Sequence, residues 1–277
     1  MVSAVDSTDI VAYAEQIHGT SAVVTAALGR MLTAVSMMGN MLKGKDNTIS
    51  LKIDGGGPAG AITVSADSTG NVRGYAQNNI VEIPLKPNGK LDVSGAVGTN
   101  GNFFVVKDLG MKEPYNGFVP IVSGEIAEDI TSYYATSEQI PTVCALGVLV
   151  NPDLTVKKAG GYILQLLPFT EDEIITKIEQ NLARVKPVTK LLDEGMDIED
   201  IVRDVLDGFE VEVIYEQEVE YKCKCTREKI EATLQGLGRN ELEGMLKDLP
   251  QVDVKCHFCN TDYSFSKTDI ENILKKL

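Results

Sequence analysis

The pattern of apolar and polar positions changes character along the chain, and each change marks a different kind of element. Residues 20–42 are rich in Ala, Leu and Met with few polar breaks, the composition of a buried helix. Met31, Met37, Met38 and Met41 within it read as core filler rather than as an adaptable binding surface. Short β-branched runs follow at 48–53, 61–65, 71–76, 102–107 and 117–122, separated by Gly, Asn, Asp and Pro, which is sheet punctuation. Residues 124–137 predict a helix, and 142–150 and 161–167 predict two further buried strands. Residues 1–170 therefore read as one mixed α/β-sheet domain of the α+β class.

Beyond it the period becomes helical. Ile174, Ile175, Ile178, Leu182 and Val185 share one face; Ile198, Ile201, Val202, Val205, Leu206 and Phe209 share another, with Pro187 and Gly195 as breaks. Residues 211–221 alternate apolar and acidic, the pattern of an exposed strand. These stripes require another surface to cover them, while their acidic faces repel one another. Residues 171–220 thus read as an amphipathic helical linker that is docked rather than independently folded. The last stretch, 221–277, predicts short helices near 226–235 and 239–247, a pair of turns around 252–264, and a final helix opened by Ser266 and Asp269 at capping-box spacing. It has too few large apolar residues for a self-sufficient core.

Charge sharpens this division. The chain has 277 residues and a formal net charge of −14. Residues 171–220 hold 16 acids against 5 bases, whereas 221–277 hold 9 against 10. The acidic excess sits in the linker, and neither flank offers the positive footprint or basic stripe that nucleic-acid binding requires. No apolar run approaches the length of a membrane span, and 1–11 shows no basic-then-apolar secretion signal.

The strongest chemical signal is cysteine. Cys144 stands alone in an apolar run, where it reads as a buried, apolar-like side chain; Cys223, Cys225, Cys256 and Cys259 form C-x-C, 30 residues, C-x-x-C. Without a secretion signal this spacing reads as metal ligation before a disulfide framework. Four thiolates close a tetrahedral shell around one Zn²⁺ per chain and leave no position for a reactive water, so hydrolytic zinc catalysis is disfavoured. Lys222, Lys224, Arg227 and Lys255 flank the ligands and are placed to offset their charge, while His257 reads as an exposed loop residue. Chemistry alone leaves two uses open: a constitutive structural zinc, or a centre whose thiolates are oxidised as a signal.

Other motifs carry less. Residues 55–60, Gly-Gly-Gly-Pro-Ala-Gly, match G-x-G-x-x-G, but a strand rather than a helix follows, so the match reads as a turn. No P-loop and no G-x-S-x-G elbow are present, and of the two histidines His18 reads as a helix-end residue before Gly19. No thioredoxin-like βαβ surrounds the C-x-x-C.

The cysteine spacing resembles that of the thirty-three-kilodalton heat-shock protein family of bacterial redox-regulated chaperones. The likeness extends along nearly the whole chain: residues 25–30 (TAALGR), 70–75 (GNVRGY), 112–115 (KEPY), 123–129 (SGEIAED), 137–139 (SEQ) and 160–168 (GGYILQLLP) are similar to successive family motifs. The family usually has a further strand ahead of the segment equivalent to residues 1–6, so this chain reads as short at its N-terminus. The resemblance implies a cytoplasmic, ATP-independent holdase and not an enzyme. It would be inactive when reduced and zinc-bound, and switched on when Cys223 joins Cys225 and Cys256 joins Cys259. It implies unfolding client proteins as partners, a homodimer when oxidised, and neither nucleic acid nor membrane. The stripe from Ile198 to Phe209 is then the candidate client-binding surface. The alternative is a constitutive structural-zinc interaction or nucleic-acid-binding module.

Overall fold

The computed structural model describes residues 1–277, which divide into two compact units, Met1–Lys222 and Cys223–Leu277. In the first unit, helix α2 (Ala22–Asn40) runs between two antiparallel sheets, with α1 (Thr8–His18) beside it. The larger sheet contains β2 (Thr48–Asp54), β3 (Ile62–Asp67), β4 (Val72–Ala76), β5 (Asn102–Asp108) and β6 (Tyr115–Pro120), in the order β4-β3-β2-β5-β6. The smaller contains β1 (Val2–Asp6), β7 (Thr142–Val150) and β8 (Val156–Gln165), in the order β1-β8-β7. Short α3 (Val93–Val97) lies between β4 and β5 in sequence, and α4 (Ala127–Tyr133) runs into a π-helical turn, Tyr134–Glu138.

Burial explains the composition of α2. Met31, Met37 and Met38 are at most 2% exposed, so the methionines fill the core between the sheets. By length and composition α2 is apolar enough to cross a bilayer, which corrects the expectation that no such stretch exists. Here 89% of that span is buried within the protein. Gly29 is required where α1 and β7 press on α2: an ideal Cβ there would fall 2.6 Å from Val11 Cγ1 and 2.8 Å from Val148 Cγ2.

The smaller sheet is covered on both faces, and its alternation shows how. Val5, Cys144, Leu146, Val148 and Ile163 pack toward α2. Their neighbours Val2, Ala4, Val143, Ala145, Tyr162 and Leu164 pack in a second cluster with Ile178, Leu191, Leu192, Ile201 and Val205. These last residues belong to α5 (Asp172–Leu182), α6 (Val188–Asp193) and α7 (Ile198–Val205). The acidic helices therefore dock through their apolar stripes, leaving the charged faces to water. Packing toward α2 also accounts for the apolar surroundings of Cys144, whose thiol is held well above its ordinary range by burial.

Several expectations need correction. The strand expected over 211–221 does not form. Residues 210–220 have no regular structure, and one isolated parallel bridge joins Tyr221 to Val72. Alternation makes a strand only where a surface meets the apolar face: Val219 and Tyr221 pack against the core, whereas Val213, Ile214 and Tyr215 stay exposed, Ile214 at 88%. Strand β8 begins at Val156, ahead of the expected 161, because its polar start continues the hairpin with β7. His18 does end a helix, but the cap is Gly19, whose N–H donates to Glu15 O at 2.7 Å. The imidazole instead lies 3.0 Å from Gly74 O. The glycine-rich stretch 55–60 is indeed a turn between β2 and β3.

Two of the motifs quoted above meet in space. Arg30 Nη1 lies 2.7 Å from Glu125 Oε2, and Lys86 closes on the same carboxylate. Asp129, fully buried, accepts from the backbone N–H of Val122, Ser123 and Ile126 at 2.8–3.1 Å. That arrangement holds the turn in which Ile126 has a φ of 73°.

The second unit contains α8 (Arg227–Gly236), α9 (Arg239–Asp248), the hairpin of β9 (Gln251–Lys255) and β10 (Asp262–Ser266), and α10 (Lys267–Leu274). Ser266 and Asp269 form the expected capping box. Its core is small: Leu234, Leu242, Val252, Phe265, Ile270, Ile273 and Leu274.

Candidate metal centre

The four cysteines of the second unit come from two backbone devices. Cys223 and Cys225 sit on the extended chain just before α8, whose N-cap Thr226 accepts from Lys229 N at 3.3 Å. Cys256 and Cys259 sit on the turn between β9 and β10. Cys256 N donates to Thr261 O at 2.9 Å and Asn260 N donates to Cys256 O at 2.8 Å, with Asn260 in a left-handed conformation, φ 57°. This tight knuckle points both sulfurs the same way.

All four sulfurs lie within 4.8 Å of one another. Cys223 Sγ is 3.7 Å from Cys256 Sγ, and Cys225 Sγ is 3.3 Å from Cys259 Sγ. Four sulfurs each ~2.3 Å from a central zinc in a tetrahedron stand about 3.8 Å apart. The spacing therefore fits a four-thiolate metal site, and the donor set is the soft one that zinc accepts. Carboxylates and histidine are absent from the cluster.

The sulfurs are not equivalent. Burial, together with hydrogen bonds from the other thiols, pushes the Cys223 and Cys256 thiols up. Burial also opposes ionisation of Cys259, but hydrogen bonds from the Thr261 side chain and backbone, aided by the neighbouring thiols, bring it down to about 7. Tyr263 Oη donates to Cys225 Sγ at 3.1 Å, a bond that pushes the phenol up to about 12. Tyr263 and Thr261 escape a cysteine-based reading; their only sequence signal is a polar hydrogen at short spacing after Cys259. The flanking bases are partly committed elsewhere. Lys222 Nζ lies 2.7 Å from Glu220 Oε1, and Arg227 reaches Asp269 Oδ2 at 3.1 Å while lying over the Phe265 ring. His257 is exposed on the turn.

The other sequence-predicted site lies in the first unit. Within the stripe, Ile201 and Val205 are fully buried, Ile198, Leu206 and Phe209 pack partly buried in the same cluster, and Val202 is half-buried. Lys177 Nζ sits 4.7 Å from the centre of the Phe209 ring. As folded here, the stripe is engaged with the chain's own sheet.

A family model described as Hsp33 protein matches residues 1–266. The chain belongs to the Hsp33 family. It is 47% identical over 270 residues to the 33 kDa chaperonin of Lachnoclostridium phytofermentans, covering 98% of this chain and 92% of that one. With the 33 kDa chaperonin of Bacillus subtilis it shares 47% identity over 267 residues, 96% and 91% of the two chains. The crystal structure of the 33 kDa chaperonin from Thermotoga maritima superposes with a TM-score of 0.90 at 38% identity, covering 99% and 93% of the two chains. As an Hsp33 protein the chain is a chaperone of the heat-shock class, and its partners are unfolded proteins.

Proposed function

We propose that the chain is a redox-regulated, ATP-independent holdase. In this reading the N-terminal core is 1–170, the acidic linker 171–220 and the redox-switch domain 221–277. The observation that carries the reading is the four-sulfur cluster inside a unit whose apolar core is too small to be robust. When bound to Cys223, Cys225, Cys256 and Cys259, one zinc ion supplies crosslinking, on the order of 10–16 kcal/mol of apparent binding energy in small domains.

The chain's own residues do the rest. Two thiolates give up two electrons to each peroxide, which takes two protons from solvent, forming one disulfide and two waters. Joining Cys223 to Cys225 and Cys256 to Cys259 thus consumes two peroxides and removes all four ligand sulfurs. Residues 221–277 then lose their main constraint. The linker, held by Ile178, Leu191, Leu192, Ile201 and Val205 against Tyr162 and Leu164, releases, and apolar surface on both sides opens to unfolding clients. The stripe Ile198, Ile201, Val202, Val205, Leu206 and Phe209 is the proposed client surface. Thiol reductants reverse the step. A centre poised for oxidation belongs in a compartment that keeps thiols reduced, so we assign the cytoplasm. No catalytic residue is assigned; the oxidised form acts by binding, as a homodimer.

The test is direct. The reduced, zinc-loaded chain is exposed to peroxide at elevated temperature while released zinc and suppression of client aggregation are followed. Zinc release accompanied by a rise in suppression is expected; equal suppression by the reduced, zinc-loaded form overturns the switch.

A further inference from the structure

The outer edge of β4 is capped in an unusual way. β4 is the terminal strand of the five-stranded sheet, so the backbone groups of Val72 and Gly74 that face away from β3 have no strand partner. Residues 217–222 cover them. Val72 N donates to Glu220 O at 3.0 Å and Lys222 N donates to Val72 O at 2.7 Å. At Gly74 no backbone arrives; the Tyr221 hydroxyl takes its place. It accepts from Gly74 N at 3.1 Å and donates to Gly74 O at 2.7 Å, reaching both ladder positions with one phenol and sharing the carbonyl with His18 Nε2, 3.0 Å away. His18 Nε2 lies 3.2 Å from that hydroxyl, and Tyr13 packs on the ring at 5.3 Å. Gln217 Nε2 to Thr69 O, 2.6 Å, and Glu220 N to Asn71 Oδ1, 3.0 Å, fix the segment further back.

We propose that the Val72–Gly74 edge of β4 is a strand-addition site for an extended segment of an unfolding client chain, and that residues 219–222 are its removable plug. The proposal rests on the holdase reading above and names a surface that reading does not. Three observations support it. The plug makes a single bridge to β4, so an incoming strand that pairs through its backbone at both Val72 and Gly74 offers a longer ladder than the one it displaces. The contacts at Val72 are backbone to backbone, which any sequence can reproduce; that suits partners with no common side chains. Finally, Tyr221 is two residues from Cys223, so order at the cysteines and order in the plug are joined by chain continuity alone. An uncapped edge strand recruits extended chain by its unpaired N–H and C=O groups.

The experiment uses the full chain, oxidised, and a fluorescent ten-residue peptide of alternating Val and Thr. A matched depsipeptide carries the same side chains, with ester links replacing four consecutive central amides so that donors are lost from both edges. Fluorescence anisotropy is expected to show the peptide binding at least tenfold tighter than the depsipeptide, with amide-exchange protection at Val72 and Gly74. In the reduced chain, Tyr221→Ala is expected to raise peptide affinity at least tenfold. Equal affinity for peptide and depsipeptide overturns the proposal, as does protection confined to β6, the opposite edge. So does an unchanged affinity in the Tyr221→Ala chain. Each of these leaves aggregation suppression by the oxidised wild type intact, whereas loss of that suppression strikes the holdase reading itself.

Discussion

The Tyr263 hydroxyl, on β10, donates a hydrogen bond at 3.1 Å to the Sγ of Cys225 on the chain before α8. A donor on a metal thiolate draws charge from sulfur and holds it in place, and loss of such an outer partner typically weakens metal binding about 10–100-fold. Tyr263→Phe should therefore bind zinc at least ~10-fold more weakly and release it faster under peroxide. A chromogenic zinc chelator reads both, and retention equal to wild type would show that the hydroxyl contributes nothing.

Paired replacement of Cys256 and Cys259 by Ser removes both sulfurs of the knuckle. Tight zinc binding should disappear, and residues 223–277 should become protease-sensitive in reducing buffer, because the remaining core of the unit is only a handful of side chains. Metal content by mass spectrometry, with limited proteolysis alongside, checks the two outcomes. Full zinc stoichiometry in this variant would remove the ligand assignment.

Ile201 is fully buried under the smaller sheet. Ile201→Ala should cost about 2–5 kcal/mol of docking and packing, loosening the acidic helices without touching a sulfur. The reduced, zinc-loaded variant should then suppress aggregation part-way toward the oxidised wild type. A variant that is destabilised in urea yet wholly inactive when reduced would separate linker docking from client binding.

Glu138 accepts from Lys107 Nζ at 2.6 Å and from the Tyr133 hydroxyl. Burial works to raise its pKa, but these two bonds outweigh it and the carboxyl titrates below its ordinary value. A lowered native pKa gives stability that is present above the unfolded value, near ~4.3, and is lost as pH falls through the native one. Glu138→Gln should cost about 1–3 kcal/mol at pH 7, and the gap to wild type should narrow in acid. Urea denaturation at pH 7 and below pH 4 measures it; a gap that widens in acid would reverse the sign.

Legibility in the sequence followed the strength of the local signal. Strands β2 to β5, helix α2 and strand β7 were readable because β-branched runs and an unbroken apolar stretch leave little choice of element. The cysteine spacing pointed to the metal centre before any geometry. β1 was missed and α1 was legible only at its end, His18 before Gly19: Val2–Asp6 is short and mixed, and it is a strand because Gly160–Leu164 offers it a partner. The segment 211–221 failed in the opposite direction, since alternation suggested a strand where no neighbour pairs beyond Val72. Tyr263 and Tyr221 act through one hydroxyl each, aimed by tertiary placement, and a linear reading has no period with which to find them.

The cover over Tyr162 and Leu164 is a stretch of the same polypeptide rather than a second molecule. Tethering of this kind holds a cover at an effective concentration that reaches the millimolar range. Diluting the protein does not uncover the sheet, and stray apolar segments at micromolar levels are outcompeted at rest. Under the switch proposed above, readiness would be decoupled from abundance: a cell could stockpile the molecule without its sticking to its neighbours.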